Sequence, residues 1–266
     1  MDSSQSLYIV FPVLDEEEQL EATVVKTLKF CHDSQIVNYK ICIADNGSTD
    51  RTEEIGLALQ EQFAQVSYVR LNQRGVGRAL KATWSVCQAD YVGFMDADLS
   101  TSLKHLKQVY DLIQNEQPLL ITGSRLKRGA KVEKRTLLRE IISRCFNFWL
   151  RVNLRVKFTD GMCGFKFIQK SFYEQLASQF EFSNQWFFET ELLVRAEWLG
   201  AEIVDLPVHW IDDPENSRSS SRLISLILEY LADIERLRQE RKAFLKARKQ
   251  KYAANLRSNA YNSRLQ

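Results

Sequence analysis

The chain has 266 residues, with 36 Lys or Arg against 34 Asp or Glu and a net charge of +2. That length suits one sizeable domain with an appendage, and 45% hydrophobic against 26% charged residues excludes a fully disordered chain. No apolar run approaches the roughly 18 residues that a membrane-spanning helix needs. Residues 1–5 lack the basic and apolar regions of a secretory signal. Cysteines stand at 31, 42, 87, 145 and 163, an odd set without a CxxC pair. Neither a disulfide framework nor a zinc site is expected, and a reducing, cytoplasmic setting is.

Short apolar runs predict strands at 7–11, 39–44, 66–71, 91–95 and 119–122. Amphipathic segments between them predict helices at 16–32, 50–64, 76–88 and 102–115, the second opening on a capping-box pattern at Asp50 to Glu53. Strands alternating with helices imply βαβ units, hence an α/β fold with a mainly parallel sheet. Ligands of such sheets bind beyond the carboxyl ends of the strands. In the second half, helices are expected at 137–154 and 187–199, and strands at 165–168 and 203–210. A long helix follows from residue 222, with an apolar stripe of Leu223, Leu226, Ile227, Tyr230, Leu231, Ile234 and Leu237 and a basic extension. The expected organisation is a domain over 1–222, an amphipathic, basic helix over 223–250 and a flexible tail over 251–266.

Acidic residues gather at the expected strand ends. The first strand runs into Asp15 to Glu18, the second into Asp45-Asn46-Gly47-Ser48-Thr49-Asp50, and the fourth into Asp96-Ala97-Asp98. Converging carboxylates repel one another, and a divalent cation or a ligand rich in hydroxyls and donors would relieve the repulsion. Two aspartates one residue apart in a turn suit Mg²⁺ or Mn²⁺ bound together with phosphate oxygens, so Asp96 and Asp98 are the expected metal ligands. The Asp45–Asp50 segment can accept hydrogen bonds from a nucleoside, with Asp50 capping the next helix. Arg74-Gly75-Val76-Gly77-Arg78 is a glycine-rich turn before a helix and suits close approach to a ligand. His32, His105 and His209 fit no ligand spacing and read as structural.

Taken in order, residues 12–16, 44–50, 74–79 and 96–98 resemble the family 2 glycosyltransferases of the GT-A fold. Within these they are most similar to the dolichyl-phosphate glucosyltransferase and mannosyltransferase branch. Gly123-Ser124-Arg125, Arg135, Arg139, residues 160–166, 186–193 and 208–213, and Ser217-Arg218 extend the match, which covers about residues 7 to 222. The Cys163-Gly164-Phe165-Lys166 segment and Trp186 favour the glucosyl side. The chain departs from the pattern at Leu14, Asn46, Val76, Glu189 and Asn216.

The resemblance implies an inverting transfer of a hexose, glucose from UDP-glucose, to a polyprenyl phosphate. It gives Pro12, Leu14, Glu16, Asp45, Asn46, Gly75, Arg78, Asp96 and Ala97 to the nucleotide-sugar. Arg125, Arg135, Arg139, Ser217 and Arg218 fall to acceptor and donor phosphates, because a guanidinium fork binds phosphate oxygens bidentately. Transfer is expected to rest on Asp98, Arg125 and Arg139. A phosphate acceptor is already anionic and needs no strong base; a hydroxyl acceptor needs a carboxylate, for which Glu191, then Glu189, or Asp160 are candidates. The remaining basic residues of 125–157 read as a solvated face, since no nucleic-acid motif accompanies them. Phe146, Phe148, Trp149 and Leu150 suit either core or a prenyl chain. The C-terminal stripe suits packing or a homo-oligomer, and its basic end suits peripheral contact with an anionic membrane. The rival readings are the same donor site with a hydroxyl acceptor, and a silent nucleotide-sugar-binding scaffold.

Overall fold

The computed structural model describes residues 4–212 and 223–262. In chain order the elements are β1 (Leu7–Val13), α1 (Leu20–Asp33), β2 (Tyr39–Asp45), α2 (Thr52–Gln62), β3 (Val66–Arg70), α3 (Val76–Val86), β4 (Tyr91–Met95), α4 (Lys104–Asn115), β5 (Leu120–Ser124) and β6 (Lys131–Glu133). They continue with α5 (Leu137–Leu154), β7 (Phe165–Gln169), α6 (Lys170–Ala177), α7 (Phe188–Trp198), β8 (Ile203–Pro207), β9 (His209–Ile211) and α8 (Leu223–Asn262).

Seven strands form one sheet in the order β3-β2-β1-β4-β7-β5-β8, and β6 pairs with β9 apart from it. β7 is antiparallel to both β4 and β5, whereas the other pairs are parallel, so β7 alone runs against the rest. The central strands are apolar on both faces because helices cover both: Ile9, Val10, Phe11, Ile41, Ile43, Val92 and Phe94 are fully buried. In α4 the buried residues His105, Leu106, Val109, Tyr110 and Ile113 recur at helical spacing. Pro12 lies past the last β1–β4 register pair, Val10 with Phe94, where its missing N–H costs no bond to β4.

Several elements differ from expectation. β5 extends to Ser124, which sets Arg125 immediately beyond the strand end. The expected strand over 203–210 is two strands. The Val208 N–H bonds the Ser124 carbonyl and the Lys131 N–H bonds the Val208 carbonyl, so the chain leaves the β5 edge there to meet β6. α2 begins at Thr52, whose N–H donates to Asp50 Oδ1 at 3.0 Å, so Asp50 caps from two residues upstream.

The chain divides into two compact units, Met1–Asn147 with Lys157–Ser217, and Phe148–Val156 with Arg218–Gln266. In the second unit Tyr230, Ile234 and Leu237 of α8 are buried, whereas Leu231, expected in the same stripe, is exposed. α8 runs on through the segment expected as a tail, to Asn262. Among the described residues, no helix is long and apolar enough to cross a membrane.

Candidate active site

The ends of β1, β2, β4 and β5 and the start of β7 share one edge of the sheet, and the acidic motifs lie there. The loops after β1 and β2 are laced together. Asp15, at φ 54°, accepts the Thr49 N–H at 2.7 Å, and the Asp15 N–H donates to Ser48 Oγ at 2.9 Å. The Glu16 N–H donates to Thr52 Oγ1 at 2.8 Å, and the Arg51 N–H donates to Glu17 at 3.0 Å. Asp45 sits beneath this lattice, fully buried. Its carboxylate accepts from the Ser48 N–H at 2.8 Å, the Ser48 hydroxyl at 2.6 Å, the Tyr68 hydroxyl at 2.6 Å and Arg70 at 3.3 Å. The side chain expected to meet a nucleoside is thus occupied in shaping the loop. Its neighbour Asn46 is also buried, and its Oδ1 has no hydrogen-bond partner. Such an acceptor costs about 1–3 kcal/mol if left unmatched.

Asp96 follows β4 directly. Its N–H donates to the Gly164 carbonyl at 3.1 Å, and Thr23 of α1 donates to the Ala97 carbonyl at 2.6 Å. A Cβ on Gly164 would stand 2.0 Å from Asp96 Oδ2, so only glycine admits this carboxylate. Asp98 is exposed, and its oxygens accept from the Ser100 N–H and hydroxyl at 2.8 and 2.7 Å. Burial, then the charges of Asp98 and Glu189, push the Asp96 carboxyl well above the ordinary range against the pull of Arg125 and Lys166. This pair of hard oxygen donors with excess negative charge fits a hard divalent cation. Among the described residues, no group of three or more His, Cys, Asp or Glu forms a metal cage. The fit is therefore to a cation that takes two carboxylates and completes its shell with phosphate and water.

Arg125 and Asp160 form a buried bidentate pair, with Nε to Oδ2 at 2.7 Å and Nη2 to Oδ1 at 2.9 Å. Nη2 also donates to the Met162 carbonyl at 2.8 Å, and the guanidinium lies 4.8 Å from the Trp210 ring centroid. Burial disfavours the Asp160 anion, but Arg125 outweighs it and brings the carboxyl down to about 2. Such a group is a weak base. Glu191 is fully buried, accepts the Ser183 N–H at 2.6 Å and lies 3.7 Å from Arg195. Glu189 is buried against Lys166 at 2.9 Å. The candidate bases are thus held inside ion pairs, and the Arg125 fork, expected on a phosphate, faces Asp160. A side chain just past a strand end is as readily core as cleft, and sequence spacing does not distinguish the two.

A cleft of about 790 Å³ opens beside Asp98. Gln19, Ala22, Thr23 and Lys26 line it from one face of α1, Leu99 and Ser100 from the turn after β4, and Lys134, Ile211 and Asp212 from the ends of β6 and β9. Near the Asp212 wall stand Arg135 and Arg139: Arg135 Nε lies 3.8 Å from Asp212 Oδ2, and Arg139 Nη1 lies 3.6 Å from Asp212 Oδ1. Lys26, Lys134 and Asp212 were not expected at the site. For Lys26 the available signal was its i,i+3 and i,i+4 relation to Thr23 and Ala22. Gly75, at φ 142°, and Gly77 serve packing: added Cβ atoms would fall 2.2 Å from the Asn184 carbonyl and 2.4 Å from the Ser183 carbonyl. Arg78 donates to the carbonyls of Asn184 and Arg74. Leu14 and Glu16 are half-buried in the β1–α1 loop. Ser217 and Arg218 lie outside the described residues.

Residues 8–177 match the glycosyl transferase family 2 domain. The chain belongs to this family. It is 29% identical over 204 residues to glycosyltransferase AglD of Haloferax volcanii, covering 76% of the chain but only 32% of that relative. It is 25% identical over 252 residues to the dolichyl-phosphate beta-glucosyltransferase of Dictyostelium discoideum, covering 87% of the chain and 77% of the relative. Among solved structures, it superposes on glucosyl-3-phosphoglycerate synthase from Mycobacterium tuberculosis bound to UDP with a TM-score of 0.63 at 21% identity, over 88% of this chain and 80% of that one. That likeness shows the fold, GT-A, for this family 2 glycosyltransferase. The same synthase has also been crystallised with Mn²⁺ and UDP, with a TM-score of 0.58 at 19% identity, over 86% of this chain and 81% of that one.

Proposed function

We propose that the protein is an inverting, metal-dependent glycosyltransferase that moves glucose from UDP-glucose to a polyprenyl phosphate. The observation that carries this is the arrangement of charge around the cleft. The arginine pair Arg135 and Arg139 flanks it, while Asp160, Glu189 and Glu191 are buried in ion pairs. An acceptor that is already anionic needs cations to hold it and no carboxylate to deprotonate it. The dolichyl-phosphate relative adds support for acceptor class and sugar.

Asp96 and Asp98 would hold the divalent cation, which when bound supplies Lewis-acid neutralisation of the leaving pyrophosphate. The Asn46 amide oxygen accepts from the nucleoside, within a loop wall built by Pro12, Leu14, Glu16 and Ala97. Asp45 keeps that wall in shape. Arg135 and Arg139 orient the acceptor phosphate for attack on the anomeric carbon from the face opposite the leaving group. Arg125, held by Asp160, supplies fixed positive charge behind Asp96. Leu137, Leu138 and Ile141, which follow the arginines at the start of α5, are 75, 60 and 49% exposed. They offer an apolar surface for the prenyl chain and for peripheral contact with the cytoplasmic face of a membrane.

A second reading, a hydroxyl acceptor, is favoured by Asp212, a carboxylate on the cleft wall whose Oδ2 has no hydrogen-bond partner. A panel of UDP- and GDP-sugars, scored by nucleotide release with Mg²⁺ or Mn²⁺ and with or without undecaprenyl phosphate, decides between them. UDP-glucose turnover that depends on the lipid phosphate is the expected result. Transfer to hydroxyl acceptors alone would overturn it.

A further inference from the structure

Asp212 is held in place from three directions that do not involve the arginines. Its N–H donates to the Glu133 carbonyl at 3.0 Å, its Oδ1 accepts the Trp210 indole N–H at 2.9 Å, and it follows β9, which is paired to β6. The Trp210 ring in turn lies beneath Arg125. The arginines approach this fixed carboxylate without closing on it. Separations of 3.6 and 3.8 Å give attraction but no hydrogen bond. Arg135 has a side chain only 9% exposed, and its Nε and Nη1 have no hydrogen-bond partner, although Glu140 Oε2 stands 3.3 Å from Nε. Asp212 Oδ2 is unmatched as well. Arg135 Nε and Asp212 Oδ2, a buried donor and a buried acceptor, thus stand 3.8 Å apart without a hydrogen bond, and Asp212 lines the cleft. Oxygens of an incoming anion would satisfy the donors, which Asp212 does not reach.

We propose that Asp212 is the resident counter-ion of the Arg135–Arg139 pair, competing with an anionic phosphate group for these guanidinium groups and so setting the affinity of the site for its acceptor. The identification of that anion with the acceptor phosphate rests on the function proposed above; the competition itself does not. Asp212 acts here through the arginines, as a positioning residue. It balances the charge of the pair and holds it near the cleft when no anion is bound, and its own negative charge weakens the grip on the anion that arrives.

The test is a calorimetric titration of inorganic phosphate, in EDTA, into the wild-type protein, Asp212→Asn, the Arg135→Gln/Arg139→Gln double variant and the triple variant. Asparagine keeps an acceptor for Trp210 and removes the charge. Asp212→Asn is expected to bind phosphate about fivefold more tightly, and the gain is expected to vanish when both arginines are gone. Unchanged or weaker binding in Asp212→Asn, a gain that survives loss of the arginines, or no phosphate binding by either protein overturns the proposal. In transfer assays Asp212→Asn should lower the KM for polyprenyl phosphate by a similar factor. A collapse of kcat with an unchanged acceptor KM would make Asp212 a base and overturn it too. Wild-type protein that transfers nothing to polyprenyl phosphate counts against the proposed function, and the phosphate titration still decides the role of Asp212.

Discussion

Two regions near this edge of the sheet are built differently. On the side of β1 and β2, Asp15, Asp45, Ser48, Thr49 and Thr52 match donor to acceptor between adjacent loops. On the side of β6 and β9, Arg135 and Asp212 keep buried polar atoms unmatched. A saturated lattice holds its shape before any ligand arrives, so its role is to present backbone and a few free atoms such as Asn46 Oδ1. Unmatched guanidinium donors are costly at rest and become favourable only when an anion joins them. On the function proposed above, the first region serves the donor and the second a charged acceptor.

Perturbations of decreasing size sharpen this contrast. The largest effect is expected beneath both sides, at the buried pair. Asp160→Ala leaves Arg125 buried and uncompensated and should cost about 3–5 kcal/mol of folding stability, read as a fall in the midpoint of denaturant unfolding. Next, Asp98→Ala should lower metal-dependent nucleotide release by at least about 10²-fold, with little change in melting temperature because Asp98 is exposed. Near-normal turnover in this variant would remove the metal from the donor side.

The Asp160 carboxyl, brought from 3.8 to about 2 in the folded protein, contributes stability that is fully present above pH 4. That contribution, about 2 kcal/mol, is lost as the pH falls through 2. The difference in unfolding free energy between wild type and Asp160→Asn should therefore shrink between pH 4 and pH 2, and a constant difference would show that Arg125 does not hold the carboxylate. The smallest effect separates the two sides most directly. Arg139→Gln should raise the KM for polyprenyl phosphate about tenfold and leave the KM for the sugar nucleotide unchanged. Equal changes in both would mean that the arginines serve the donor.

Much of the frame was legible beforehand. The alternation of apolar runs and amphipathic segments gave the parallel strands, and the acidic residues just past 13, 45 and 95 lie on one edge of the sheet. β6 was not legible, because Lys131-Val132-Glu133 has too few residues for an alternation and exists only through its partner β9. The split of 203–210 was hidden for the same reason. Asp45, Arg125 and Glu191 carry the residue types of a site but face inward, and Lys26 and Asp212 reach the cleft from segments distant in sequence.

Local pattern by itself determined the α/β class, the shared edge and the Asp96–Asp98 pair, since strand periodicity and turn chemistry act over a few residues. Only the tertiary structure decided which charged groups neutralise one another and which remain available to a ligand. Burial and ion pairing depend on neighbours that arrive from elsewhere in the chain, as when Gly164 makes room for Asp96 or Asp160 takes the fork of Arg125.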